Sequence, residues 1–214
     1  MILEWLQSTT HKTYMRTSAQ LINQDSGDVE RYTCPKIMAR VQSFFGQIDL
    51  DPASNNVANQ TVKALRFYTE QDDGLSKEWK ATNVWLNHPF HKGEMACKPN
   101  CKKKKCNDPK TDKYRGHCIT EDIPSNLQWM QKLLSEYKKG NFKESLNISF
   151  VNSSETWCQL LLNEGLQCFV SKRVEYHSPT GKKSGGVTKG SMITYLGSRK
   201  VEFEALFGEI GAIK

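Results

Sequence analysis

Apolar residues recur at helical spacing through Ile37, Val41, Phe44 and Phe45, which predicts a helix that Gly46 stops. Thr33 reads as its cap, with Pro35 in the first turn. Gln47 to Leu50 is a short β-type run, followed by a turn of small residues, Asp51-Pro52-Ala53-Ser54-Asn55. Asn59 to Leu65 reads as helix or loop, Phe67-Tyr68 as a second short strand, and Gly74 to Trp79 as a turn region. Asn83-Val84-Trp85-Leu86 is apolar and partly β-branched, the pattern of a buried strand. Ser125 is placed to cap a helix through Lys138 that carries Trp129, Met130, Leu133, Leu134 and Tyr137 on its apolar face. Further strands are predicted at Ser145 to Val151, Leu166 to Val174 and Ser191 to Leu196, with a helix at Glu155 to Asn163 that Gly165 ends. Strands alternating with helices imply an α/β sheet covered by helices, its last strands antiparallel.

Two stretches break this pattern. Residues 92–120 hold few apolar positions, many lysines and four cysteines, and read as an insertion. Pro179 to Gly190 is a basic, glycine-rich loop. The first 30 residues are polar and weakly patterned, an N-terminal arm before a domain spanning 31–214.

Charge follows the same division. The chain of 214 residues carries a net +7, yet Lys92 to Cys118 has nine Lys/Arg against three Asp/Glu, and Lys172 to Lys200 has seven against one. The remainder is acidic. Two basic segments on an acidic body point to an anionic partner, most simply nucleic acid; solvated lysine-rich loops are the plain alternative. No apolar run approaches the ~20 residues that span a bilayer. The first residues lack the pattern of a secretory signal, so a cytoplasmic location is expected.

Cys97, Cys101, Cys106 and Cys118 fall within 22 residues. Four thiolates can close a tetrahedral zinc site with no open coordination position, which suits a structural role. His117 is an alternative fourth ligand and His91 a distant one. Metal would supply folding energy to a segment without its own core. Lys102, Lys103, Lys104 and Lys105 would offset the thiolate charge and face phosphates if the loop lies on DNA. Cys34, Cys158 and Cys168 read as core cysteines.

The predicted buried strand ends in Asn87-His88-Pro89-Phe90. This resembles the Asn-Pro-Pro-Phe/Tyr motif of amino-directed DNA methyltransferases. Upstream, Asp51-Pro52-Ala53-Ser54 resembles the turn of their cofactor site, Tyr32-Thr33-Cys34-Pro35 the segment that precedes it, and Asp73-Gly74-Leu75 with Trp79 the segment between. The order and spacing resemble the phage-type DNA N-6-adenine methyltransferases (Dam), closely over Tyr32 to Phe90 and loosely through Asn152 to Trp157, Lys172 to Tyr176 and Ser191 to Gly197.

The resemblance implies a Rossmann-like class I methyltransferase sheet with covering helices and the Cys/Lys-rich insertion. It implies S-adenosylmethionine as cofactor, with Thr33, Asp51, Pro52, Ala53, Ser54 and Asp73 beside it, while structural Zn2+ is the reading of the four cysteines by themselves. Asp51 would bond the cofactor's amino-acid or ribose portion, and Asp72 or Asp73 its adenine end. The substrate would be duplex DNA with a flipped base. A base amine is a poor nucleophile because its lone pair is conjugated into the ring. The Asn87 side-chain oxygen and the His88 backbone carbonyl would hold its two N–H bonds and turn that lone pair outward, while Phe90 stacks on the base. His88 departs from the family's proline, and Pro89 keeps residue 88 extended. The turn also lacks the usual glycines, and Asn55 and Asn56 stand near their place. Beyond the four lysines, Arg173, Lys182, Lys183 and Lys189 are candidate DNA contacts. Two further readings stand beside adenine methylation: transfer to the N4 amine of cytosine, and a catalytically decayed, zinc-stabilised DNA-binding protein.

Overall fold

A seven-stranded mixed sheet organises the computed structural model, which describes residues 31–111, 114–177 and 189–214. Among these residues the strands are β1 (Tyr32–Thr33), β2 (Leu50–Asp51), β3 (Arg66–Phe67), β4 (Asn83–Leu86), β5 (Lys92–Glu94), β6 (Ile123–Ser125), β7 (Glu144–Phe150), β8 (Leu166–Val170), β9 (Tyr176–His177), β10 (Ser191–Leu196) and β11 (Gly211–Ile213). The helices are α1 (Pro35–Phe45), α2 (Asn56–Val62), α3 (Lys104–Asn107), α4 (Asn126–Lys138), α5 (Thr156–Glu164) and α6 (Lys200–Phe207). The expected arm at 1–30, Lys182 and Lys183 lie outside the described residues.

The sheet runs β11-β8-β10-β7-β4-β2-β3. β3, β2, β4 and β7 are mutually parallel, and β10 is antiparallel to both β7 and β8. The expectation of antiparallel strands late in the chain therefore holds. Helices pack on both faces. Trp85, Leu146, Ile148 and Ile193 meet α1 and α6 through Ile37, Val41, Phe44, Phe203 and Phe207. Leu50, Val84, Leu86 and Met192 meet α4 and α5 through Trp129, Met130, Leu133, Trp157 and Leu161. Both faces of β4 are covered, which is why its four residues read as a continuous buried run rather than an alternating one.

Local chemistry sets most element ends. Ser125 and Gln128 form a reciprocal capping box on α4. Gly46, with φ of 75°, closes α1. The start of α1 differs from expectation: Cys34 is the cap residue, with no side-chain bond, and Thr33 belongs to β1, opposite Tyr176. β8 ends at Val170, short of the expected Val174, because the chain turns where Ser171 donates to the Ile210 carbonyl. β5 and β6 pair antiparallel, Lys92 opposite Ser125 and Glu94 opposite Ile123, and close the base of the insertion.

Chain order places the site. The chain passes from β2 to β3 on one side, then returns to β4 on the other. Such a switch point leaves a crevice beyond the carboxyl ends of the two central strands. Asp51 ends β2 and Asn87 follows β4, and the register of Leu50 beside Val84 and Leu86 beside Asn147 brings them to one edge with Phe150 at the end of β7.

Candidate active site and metal centre

Asn87 is held by a bond no local pattern contains. Its side-chain amide donates to the Arg31 carbonyl at 2.6 Å. That bond turns Oδ1 the other way, where it is buried and accepts nothing among the described residues. Leaving a buried carbonyl oxygen without a donor costs about 1–3 kcal/mol.

His88 follows with its ring 1% exposed. Burial pulls the imidazole down to about 4, only partly opposed by Asn126, so the ring is neutral at physiological pH. Nε2 lies 3.1 Å from Asn126 Oδ1. The ring meets Phe90 edge-on, with centroids 5.2 Å apart at 82°. Phe90 is half-buried, 4.4 Å from the Phe150 ring and 5.8 Å from Tyr176. Pro89 is exposed. The motif is thus a fixed ledge on the sheet edge.

The neighbouring turn is equally built. Asp51 is 2% exposed, and burial raises its carboxyl to about 7, against a partial lowering by the Ala53 N–H at 3.2 Å. Ser54 is pinned by its N–H to the Tyr68 carbonyl at 2.9 Å. Asn55 has extended backbone and caps α2 through the N–H groups of Val57 and Ala58. Neither Asn55 nor Asn56 takes the left-handed conformation a turn glycine would supply. That conformation falls instead on Asp73, with φ of 52°, whose carboxylate accepts from the Leu75 N–H at 3.2 Å. Asp72 accepts from the Thr69 main chain and hydroxyl, which lowers its pKa, so both acids are engaged within their own turn. Gly74 presses on the first turn: a Cβ there would sit 1.9 Å from the Pro52 oxygen. Thr33 is buried beside β9, its hydroxyl without a partner among the described residues.

The four cysteines of the insertion converge. The sulfurs of Cys97, Cys101, Cys106 and Cys118 all lie within 4.8 Å of one another, and Cys97 and Cys106 are 3.7 Å apart. A tetrahedral zinc with bonds of ~2.3 Å separates its sulfurs by about 3.8 Å, so the donor set can hold a metal ion. His117 is turned to the Arg115 carbonyl at 3.0 Å. Arg115 Nη2 reaches Cys106 Sγ at 3.2 Å.

Glu94, at the foot of the insertion, gathers Lys103, Lys105 and Arg115. Burial pushes its carboxyl up, but hydrogen bonds from Lys105, Arg115 and Lys103 outweigh that and hold it at about 2. Of the four expected phosphate lysines, Lys103 and Lys105 therefore serve Glu94, while Lys102 and Lys104 are exposed. Arg173 and Lys189 are exposed too. They flank the carboxyl end of β7, where Val151 N–H bonds the Gly190 carbonyl at 2.9 Å. Cys158 and Cys168 are core residues, and Cys34 packs against the core from its edge.

Sequence reasoning did not find Arg31, Asn126, Phe150, Glu94 or Arg115. Glu94 alone left a trace, as an acid just before a run of basic residues. The rest act across distances in sequence that no spacing rule covers.

The fold defines a class: an α/β sheet whose switch point, the usual ligand crevice of such folds, holds Asn87 and the buried Asp51 carboxyl. Comparison with known families makes the class specific. The family model for DNA N-6-adenine-methyltransferase (Dam) matches residues 22–202. The chain belongs to this family and is a DNA adenine-N6 methyltransferase dependent on S-adenosylmethionine. No curated protein and no solved structure matches it. No described helix is long and apolar enough to cross a membrane.

Proposed function

We propose that Asn87, His88, Pro89 and Phe90 form the methyl-transfer ledge on a Rossmann-like, class I methyltransferase sheet. The observation that carries this reading is the buried Asn87 Oδ1, oriented by the bond to the Arg31 carbonyl and accepting nothing among the described residues. It takes one N–H of the adenine N6 amine, and the His88 carbonyl takes the other. With both N–H bonds held, the nitrogen lone pair leaves conjugation and points along a single direction. Phe90, fixed between Phe150 and Tyr176, supports the base after it leaves the duplex. The antiparallel β10 between β7 and β8 and the switch point between β2 and β4 support the class I assignment.

Cofactor binding falls to the β2 side of the crevice. When bound there, S-adenosylmethionine supplies an electrophilic methyl on a sulfonium that leaves readily, so no strong general base is needed. The buried Asp51 carboxyl suits the ligand's ammonium or ribose hydroxyls, and the unpartnered Thr33 hydroxyl offers a second polar contact. Pro52, Ala53 and Ser54 keep the turn low enough for a ligand to approach the backbone. Asp73 shapes the adjoining turn that packs on Pro52 and serves the adenine end of the cofactor.

The insertion is a structural zinc module held by Cys97, Cys101, Cys106 and Cys118. Lys102 and Lys104 on the module, with Arg173 and Lys189 beside β7, contact phosphates of duplex DNA in the compartment where that DNA resides. Substitution tests the central role. Asn87→Ala is expected to lower methyl transfer at least ~100-fold, with the fold and S-adenosylmethionine affinity retained. Radiolabel transfer and calorimetry read the two quantities. Unchanged transfer in that variant contradicts the assignment.

A further inference from the structure

We propose that the His88 imidazole and Asn126 form a latch that positions the His88 carbonyl for methyl transfer, taking over the constraint that the family's proline supplies through its ring. The proposal rests on the reading of that carbonyl as an amine acceptor.

A proline fixes its own φ near −65°, and so narrows the directions in which its carbonyl can point. Histidine has no such restriction. In this chain the side chain restores it from outside. The imidazole is buried, bonded through Nε2 to Asn126 Oδ1 at 3.1 Å, edge-on to Phe90, and 6.5 Å in centroid distance from Trp129. A ring held at its tip and along its edge cannot follow a rotation of its own backbone, so φ of residue 88 is set by tertiary contacts. With Asn126 Oδ1 as acceptor, the imidazole proton resides on Nε2.

Asn126 grips the same segment twice. Its side chain takes His88, and its main-chain N–H donates to the His91 carbonyl at 2.7 Å. It is the first residue of α4, where Ser125 and Gln128 form the capping box, so the grip is fixed to a helix end rather than to a loop. The ladder between β5 and β6 begins at the next pair, Lys92 opposite Ser125. The latch thus joins the motif to the point where the insertion leaves and returns. His88 and Asn126 are positioning residues: the imidazole acts through the backbone it anchors.

The test compares kcat for DNA methylation with the S-adenosylmethionine Kd in five variants. Asn126→Leu keeps size and removes the acceptor. It is expected to lower kcat at least ~10-fold while the cofactor Kd stays within about twofold. Asn126→Asp, which keeps an oxygen facing Nε2, is expected to recover most of that loss. His88→Ala should match Asn126→Leu, and adding Asn126→Leu to it should cost nothing further, since both remove one interaction. His88→Pro should retain at least ~10-fold more activity than His88→Ala, because its ring again fixes φ. Asn126→Leu with wild-type kcat, or equal losses in His88→Pro and His88→Ala, overturns the latch. Wild-type activity in Asn87→Ala would instead remove the acceptor reading, and the latch with it.

Discussion

Asp51 places a buried carboxyl where the proposed function needs a cofactor contact, at a cost to stability. Its carboxyl titrates near 7 in the folded protein and at an ordinary 3.8 when unfolded. Between those values the native state holds a proton that the unfolded chain has lost, so stability falls as pH rises from 3.8 to about 7 and stays low above it. Asp51→Asn removes the charge. It is expected to raise stability at pH 8 by about 2–4 kcal/mol, with the gain narrowing as pH drops toward 4, and to weaken S-adenosylmethionine binding. Denaturant melts at the two pH values measure the first effect and calorimetry the second. A variant no more stable at pH 8 contradicts the buried charge. The small-residue turn after a predicted strand made Asp51 legible in sequence. The orientation of Asn87 was not, because the Arg31 carbonyl that sets it lies 56 residues away in sequence.

Among elements, those with periodicity or caps were readable and the others were not. Strand β4 matches its expected bounds, and α4 begins where Ser125 caps it. Strands of two or three residues, such as β1, β5, β6, β9 and β11, carry too few positions to show alternation, and exist because a partner strand lies beside them. Helix α6 passed unnoticed for a related reason: Arg199 gives it no side-chain cap, and Val201 on it is exposed. The insertion was legible through its cysteines, while the use of Lys103 and Lys105 by Glu94 needed the fold. On the zinc assignment proposed above, the four converging sulfurs make the module dependent on metal. The purified protein is expected to carry one zinc per chain, and Cys101→Ser to lose it and melt several degrees lower. Mass spectrometry of the metal and a thermal melt check this. A metal-free preparation with an unchanged melt contradicts it.

For the whole molecule, the fold brings separated signals to one edge. Asp51, Asn87 and Phe150 stand at the carboxyl ends of β2, β4 and β7, and the bond from Val151 N–H to the Gly190 carbonyl brings the chain beside Lys189 to the same edge. Lys102 and Lys104 on the insertion, with Arg173 and Lys189 beside the carboxyl end of β7, are exposed, while the sequence outside the two basic segments is acidic. Under the proposed function, that asymmetry draws anionic DNA toward the site before any specific contact forms. The most direct measurement incubates the purified protein with radiolabelled S-adenosylmethionine and unmethylated duplex DNA, then separates the nucleosides by chromatography. Label in N6-methyladenine is the expected result. Label in N4-methylcytosine, or no label while the cofactor binds, would contradict the account.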